Sequence, residues 1–134
     1  MDVRELMEGP YWRFLGMEAV DGDDGAPQVR LTVRPEHMQI MGRVHGGVLA
    51  SLLDSAIALA VHAPMTPMSA AATLDLSVQY LRPVTEPGVL IARAEVLAES
   101  RSVALARAEV RSAEGGAPYA VGSATYRLYR RRPE

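Results

Sequence analysis

Residues 46–63 read GGVLASLLDSAIALAVHA. The run is apolar and of membrane-spanning length, but Asp54 sits at its centre and small residues fill much of the rest. A carboxylate at the middle of a bilayer costs about 2.5–3.5 kcal/mol, and no basic flank sets an orientation. The stretch therefore predicts a helix buried within protein, stopped by Pro64 and Pro67. A helix that is apolar on every face needs cover all round, and one flat antiparallel sheet covers a single side. The expected solution is a curled sheet around the helix, with a second subunit over the remainder.

The flanks supply the sheet. Residues 2–8 predict a short helix, and 9–20 a turn followed by a strand. DGDDGAP (21–27) is a turn by composition. QVRLTVR (28–34) alternates and is ended by Pro35; 36–44 is a loop. After the helix the period changes to two. Leu74, Leu76, Val78 and Tyr80 alternate with Asp75, Ser77 and Gln79, a half-buried strand starting at 73. Residues 89–98, 102–111 and 119–130 give three more strands. The first two are rich in Ala, Arg and Glu, which favour helix. Their alternation of Arg93, Glu95, Arg107, Glu109 and Arg111 with Ala94, Val96, Ala106, Ala108 and Val110 favours strand. The predicted order is β-β-α-β-β-β-β, an α+β class. One domain over 1–134 is expected, with 1–9 and 131–134 peripheral.

Composition narrows the chemistry. The 134 residues carry a formal charge of −2, so no strong field favours nucleic acid or anionic membrane. Cysteine is absent, which excludes disulfides, thiolate nucleophiles and Cys-based metal sites. All 14 basic residues are arginine, which excludes lysine chemistry. MDVRELMEGP has no apolar core of a signal peptide, and a cytosolic location is expected.

Asp54 is the strongest candidate for chemistry. It is the only formally charged residue between Arg43 and Asp75. A carboxylate among apolar neighbours needs nearby donors and suits a base or a nucleophile; the plainer role is structural hydrogen bonding. Gly46 and Gly47 follow His45 and open the helix, so bare N–H groups can polarise a carbonyl or bind an anion there. Gly46 and Asp54 lie eight residues apart, about 12 Å at 1.5 Å per residue. That is too far to act on one carbonyl carbon. If both are catalytic, they come from different subunits, and antiparallel pairing of two such helices makes a dimer with two composite sites. Gln39 can orient water, Thr73 can place water near Asp54, and His45 can donate to a carbonyl or fix the helix entry. His37 and His62 fit no ligand spacing with His45, so no metal is expected.

The run from Gln39 through Val44-His45-Gly46-Gly47 to Asp54 resembles the signature of hotdog-fold acyl-CoA thioesterases of the phenylacetic-acid-degradation (PaaI-like) branch. Thr73-Leu-Asp-Leu-Ser-Val-Gln-Tyr-Leu-Arg-Pro83 and Gly122-Ser-Ala-Thr-Tyr-Arg127 are similar to strands of that family. The resemblance covers roughly residues 10–130. It implies a curled sheet around the central helix, two subunits joined in one continuous sheet, and dimers that often pair into tetramers. It implies that Gly46 N–H polarises a thioester carbonyl while Asp54 of the other subunit acts as nucleophile or as general base. Gln39 stands where the family usually has Asn, Thr73 matches a water-orienting position, and His45 supports the carbonyl or the loop. Arg43 and Glu99-Ser100-Arg101 depart from the usual pattern. Arg82 and Arg101 are candidates for CoA phosphate, Gly47 and Met41 for substrate, and Met38, Met65 and Met68 for an acyl pocket. The implied activity hydrolyses an aryl- or fatty-acyl-CoA thioester and needs no cofactor, because the thioester is already activated. The alternatives are a non-catalytic acyl-CoA sensor and a hotdog hydratase; the latter needs an Asp-His pairing that this chain lacks.

Overall fold

The computed structural model describes residues 3–66 and 69–130. Helices α1 (Val3–Met7) and α2 (Pro10–Leu15) precede strands β1 (Met17–Asp21) and β2 (Pro27–Thr32). Helix α3 (Gly46–His62) follows, then β3 (Ala70–Tyr80), β4 (Val89–Glu99), β5 (Val103–Ser112) and β6 (Ala120–Tyr129). The six strands form one antiparallel sheet in the order β1-β2-β4-β5-β6-β3. The sheet curls around α3, as expected for the hotdog arrangement. No helix among the described residues is long and apolar enough to cross a membrane.

The core lies between sheet and helix. Leu52, Leu53 and Ile57 of α3 are wholly buried. They meet Ala92 of β4, Ala106 and Val110 of β5, and Ala120 and Ala124 of β6 in one apolar cluster. Each such Leu or Ile contributes about 1.5–3 kcal/mol by leaving water. Small residues on the sheet let the helix sit close. On β5 the predicted alternation is kept along the strand: Ala104, Ala106, Ala108 and Val110 are buried, whereas Leu105 and Arg107 are exposed.

Three expectations need correction. The stretch 9–20 is not a turn and a strand: residues 10–15 are helical, and the strand is only 17–21. Pro10 occupies the first helical turn, and Gly16 closes the helix with φ 87°. These are ordinary start and stop residues, obscured by the aromatic run Tyr11-Trp12-Arg13-Phe14, which suits a strand equally well. Second, β3 begins at Ala70, three residues before the expected start. Third, Leu74 does not point into the core. The pairing with β6 shifts between Thr73 and Asp75, so Leu74 is the extra residue of a bulge and is 62% exposed.

Candidate active site

Helix α3 is not covered all round within one chain. Its sheet-facing side is buried, but Gly47 is exposed, and Ala50, Ser51, Asp54 and Ala58 are half-buried. At i, i+3/i+4 spacing these residues form a stripe of small and polar groups. Asp54 is the acidic member of that stripe.

Asp54 lines a cavity of about 290 Å³ between α3, the N-terminal helices, β3 and β6. Leu6, Trp12, Ala58 and Ala71 make part of its wall apolar, while Ser51, Asp54, Thr73 and Tyr126 make the other part polar. The carboxylate is held by hydroxyls. Thr73 Oγ1 donates to Oδ1 at 2.9 Å, and the Tyr126 hydroxyl reaches the same oxygen at 2.6 Å. The Tyr126 hydroxyl also lies 3.0 Å from the Asp54 carbonyl oxygen. Burial, with the adjacent Asp54 carboxylate, pushes the Tyr126 phenol well above the usual tyrosine range, so it stays a proton donor. Tyr11 closes another side, its hydroxyl 2.7 Å from Ser51 Oγ.

The start of α3 is built separately. His45 is the N-cap, and its Nδ1 accepts from Gly47 N–H at 2.8 Å. Gly47 N–H is therefore occupied by the cap. The Gly46 N–H takes part in none of the hydrogen bonds among the described residues. Tyr80, the last residue of β3, donates its hydroxyl to the Gly46 carbonyl at 2.8 Å, and its ring lies 3.2 Å from where a Cβ on Gly46 would stand. Strand β3 thus touches α3 at both points of interest, through Tyr80 at Gly46 and Thr73 at Asp54.

The structure brings together Asp54 and Thr73, and it keeps Gly46 apart from them by about 12 Å along the same helix. Gln39 turns back on its own loop, where its Oε1 accepts from Met41 N–H. Met41 is at the exposed tip of that loop. Met38 and Met65 pack against the core, and Met68 lies outside the described residues. His37 is buried and bonds Arg34 N and Leu15 O, while His62 bonds Ala58 O and Ala71 N. Both rings are engaged with backbone. Neither Arg82 nor Arg101 lines the Asp54 cavity. Arg82 donates to Ala117 O and lies over the Tyr119 ring at 4.1 Å. Arg101 sits in the turn between β4 and β5.

Tyr126 was missed by the sequence reading. Its signal is weak, because a tyrosine at a buried strand position reads as core. A larger hollow of about 480 Å³ lies over the outer face of β4, β5, β6 and β3. Each of its charged groups is already paired: Arg107 with Glu95 within the hollow at 2.6 Å, and Arg93 and Glu109 with Asp24 and Arg111 outside it.

Comparison with known proteins agrees with this architecture. The sequence pattern of the thioesterase superfamily matches residues 41–119. A Halobacterium salinarum protein, provisionally named an esterase, is 36% identical over 130 residues, spanning 87% of this chain and 83% of that one. The phenylacetic acid degradation protein PaaI of Thermus thermophilus, solved as a point mutant, superposes with TM-score 0.76 at 32% identity. That match covers 91% of this chain and 99% of the other. A Bacillus halodurans protein solved with CoA superposes with TM-score 0.82 at 25% identity, over 97% and 87% of the two chains.

Proposed function

The chain belongs to the thioesterase superfamily and is a thioester hydrolase of PaaI-like, hotdog type, and from that premise we propose that its substrate is an acyl-CoA and that Asp54 is its reacting carboxylate. CoA bound to the Bacillus halodurans relative supports the leaving group. The observation that carries the reading is Asp54 itself: a carboxylate held by two hydroxyls at the wall of a part-apolar cavity.

The chemistry requires two groups at one carbon. A carboxylate attacks the thioester carbonyl, or takes a proton from the water that does. The carbonyl oxygen becomes an oxyanion and is stabilised by a backbone N–H. The C–S bond then breaks and CoA leaves as thiolate and is protonated. Where water attacked, the acid is formed directly; where Asp54 attacked, a water cleaves the resulting acyl–Asp54 anhydride to release the acid and restore the carboxylate. Gly46 N–H suits the oxyanion, since it opens a helix and takes no partner among the described residues. It lies too far from Asp54 of its own chain, so the site is composite: Gly46 from one subunit and Asp54 from its partner. Edge strand β3 supports such a dimer. Thr73, Leu74 and Tyr80 are exposed there, although β3 is as long as β4 and is paired on one side only.

Free-thiol release from a panel of aryl- and fatty-acyl-CoA esters tests the activity and ranks the acyl groups. Mixing chains tests the shared site. Gly46→Pro removes the N–H at the first helical position, where proline is tolerated, and His45 already has the extended φ −60°, ψ 137° that a following proline requires. Gly46→Ala controls for crowding against Tyr80. Asp54→Asn and Gly46→Pro chains, each inactive alone, should regain about a quarter of wild-type activity when refolded together, because half the random dimers hold one intact site of two. No recovery on mixing would place both groups in one chain. Binding of CoA esters with no turnover by the wild type would make the protein a sensor.

A further inference from the structure

Thr73 and Tyr126 are direct cross-strand partners on β3 and β6. Their hydroxyls meet at one oxygen, Asp54 Oδ1. Oδ2 takes none of the hydrogen bonds among the described residues. The two carboxylate oxygens are therefore unequal, one anchored and one not.

The anchor is rigid. The Tyr126 ring is 2% exposed and stands on a strand paired on both sides, with β5 through Ala104 and with β3 through Thr73. Its hydroxyl has one proton and two acceptors in reach, and the shorter, charged one is Oδ1. The terminal torsion of a free carboxylate is broad and two-fold. Two donors on one oxygen remove that freedom and hold the other oxygen in place before substrate arrives.

We propose that Tyr126 is a positioning residue: together with Thr73 it fixes Oδ1 and leaves Oδ2 as the oxygen that reacts. The proposal rests on the reading of Asp54 as the reacting carboxylate. Hydroxyl donors bond a charged carboxylate more strongly than a neutral one, so the loss of one is read in the pH dependence of the rate as well as in its size. The other titratable groups on the cavity wall do not compete for it. Tyr11 of α2 is bonded to Ser51, and His62 of α3 to Ala58 O and Ala71 N.

The test is a pH profile of kcat on one thioester for the wild type, Tyr126→Phe, Thr73→Val, Thr73→Ser and Asp54→Asn. Tyr126→Phe keeps the ring and removes the hydroxyl. It should lower kcat about ten-fold with KM within about two-fold, and move the acidic midpoint of the profile up by about half a unit or more. Thr73→Val should do the same more weakly, and Thr73→Ser should restore the wild-type profile. If Tyr126→Phe does not fold, 3-fluorotyrosine at position 126 is the second probe; it is a stronger donor of nearly the same shape and should move the midpoint down. An unmoved midpoint overturns the proposal whatever happens to kcat, since a purely structural tyrosine would change rate or stability without moving the titration. If Asp54→Asn keeps the wild-type rate, the Asp54 reading fails and this proposal with it. If Asp54→Asn is inactive while the midpoint stays fixed in Tyr126→Phe, this proposal alone fails.

Discussion

Leu53 and Asp54 are consecutive residues of α3, about 100° apart around the helix, and they face opposite environments. Leu53 is wholly buried against the sheet and lies directly under Gly122 of β6. Asp54 is half-buried, faces a cavity and is held by two hydroxyls. The same contrast extends along the helix. One side carries Leu49, Leu52, Leu53 and Ile57; the other carries Gly47, Ala50, Ser51 and Ala58. The packed side supplies rigidity. The side of small residues leaves room for a ligand or a second helix to come close.

The largest effects should split along that line. Asp54→Asn keeps the size and an acceptor for Thr73 and Tyr126, but removes charge and basicity. It should lower kcat about 100-fold or more, with the unfolding temperature shifted by no more than about 2 °C. Leu52→Ala should do the reverse. It empties a wholly buried site and should cost about 2–5 kcal/mol in urea unfolding, with kcat of the folded protein within a few-fold of wild type. If Asp54→Asn melts early, or if Leu52→Ala kills activity while folded, the two faces are not separable in this way.

Gly122→Ala sharpens the comparison on the packed side. An added Cβ would meet the Ser77 carbonyl oxygen at 3.0 Å and Leu53 Cδ1 at 3.2 Å. The leucine can turn, but the carbonyl belongs to the paired strand and cannot. Overpacking of this kind should cost about 1–3 kcal/mol, read by urea unfolding. A neutral result would mean that β3 yields easily, which suits an edge strand.

Much of this was legible because it rests on period and spacing. The helix was readable from one apolar run bounded by glycines and prolines, and β5 from the alternation of buried Ala104, Ala106, Ala108 and Val110 with the more exposed Leu105, Arg107 and Glu109. Asp54 stood out as a charge with no neighbours of its kind. The N-terminal helix α2 was hidden because Tyr11, Trp12 and Phe14 suit either structure; only Pro10 and Gly16 decide it. The bulge at Leu74 was hidden because a single inserted residue shifts the facing of the chain without changing its composition. Tyr126 was hidden for a different reason. Its ring fills the core as any aromatic would, and only three-dimensional pairing with Thr73 shows that its hydroxyl has a target.

That double role of Tyr126, core ring and cavity hydroxyl, gives the smallest predicted effect. Burial raises the phenol above its ordinary value of 10.0, so the folded state holds its proton more tightly than the unfolded chain does. The stabilisation is complete below pH 10 and is lost as pH rises above it, because the unfolded tyrosine then ionises while the folded one does not. The loss should approach about 1.4 kcal/mol per pH unit for this one proton. Tyr126→Phe has no proton to release. It should be the less stable protein at pH 8, where the bond to Asp54 is missing. Its deficit against the wild type should then shrink by about 1 kcal/mol between pH 10 and 11, since the unfolded phenol is only half ionised at the start of that interval, measured as the difference between paired urea titrations. A deficit that stays constant over that interval would mean that the phenol ionises as readily in the fold as in water, and that the cavity beside Asp54 is wetter than its apolar lining implies.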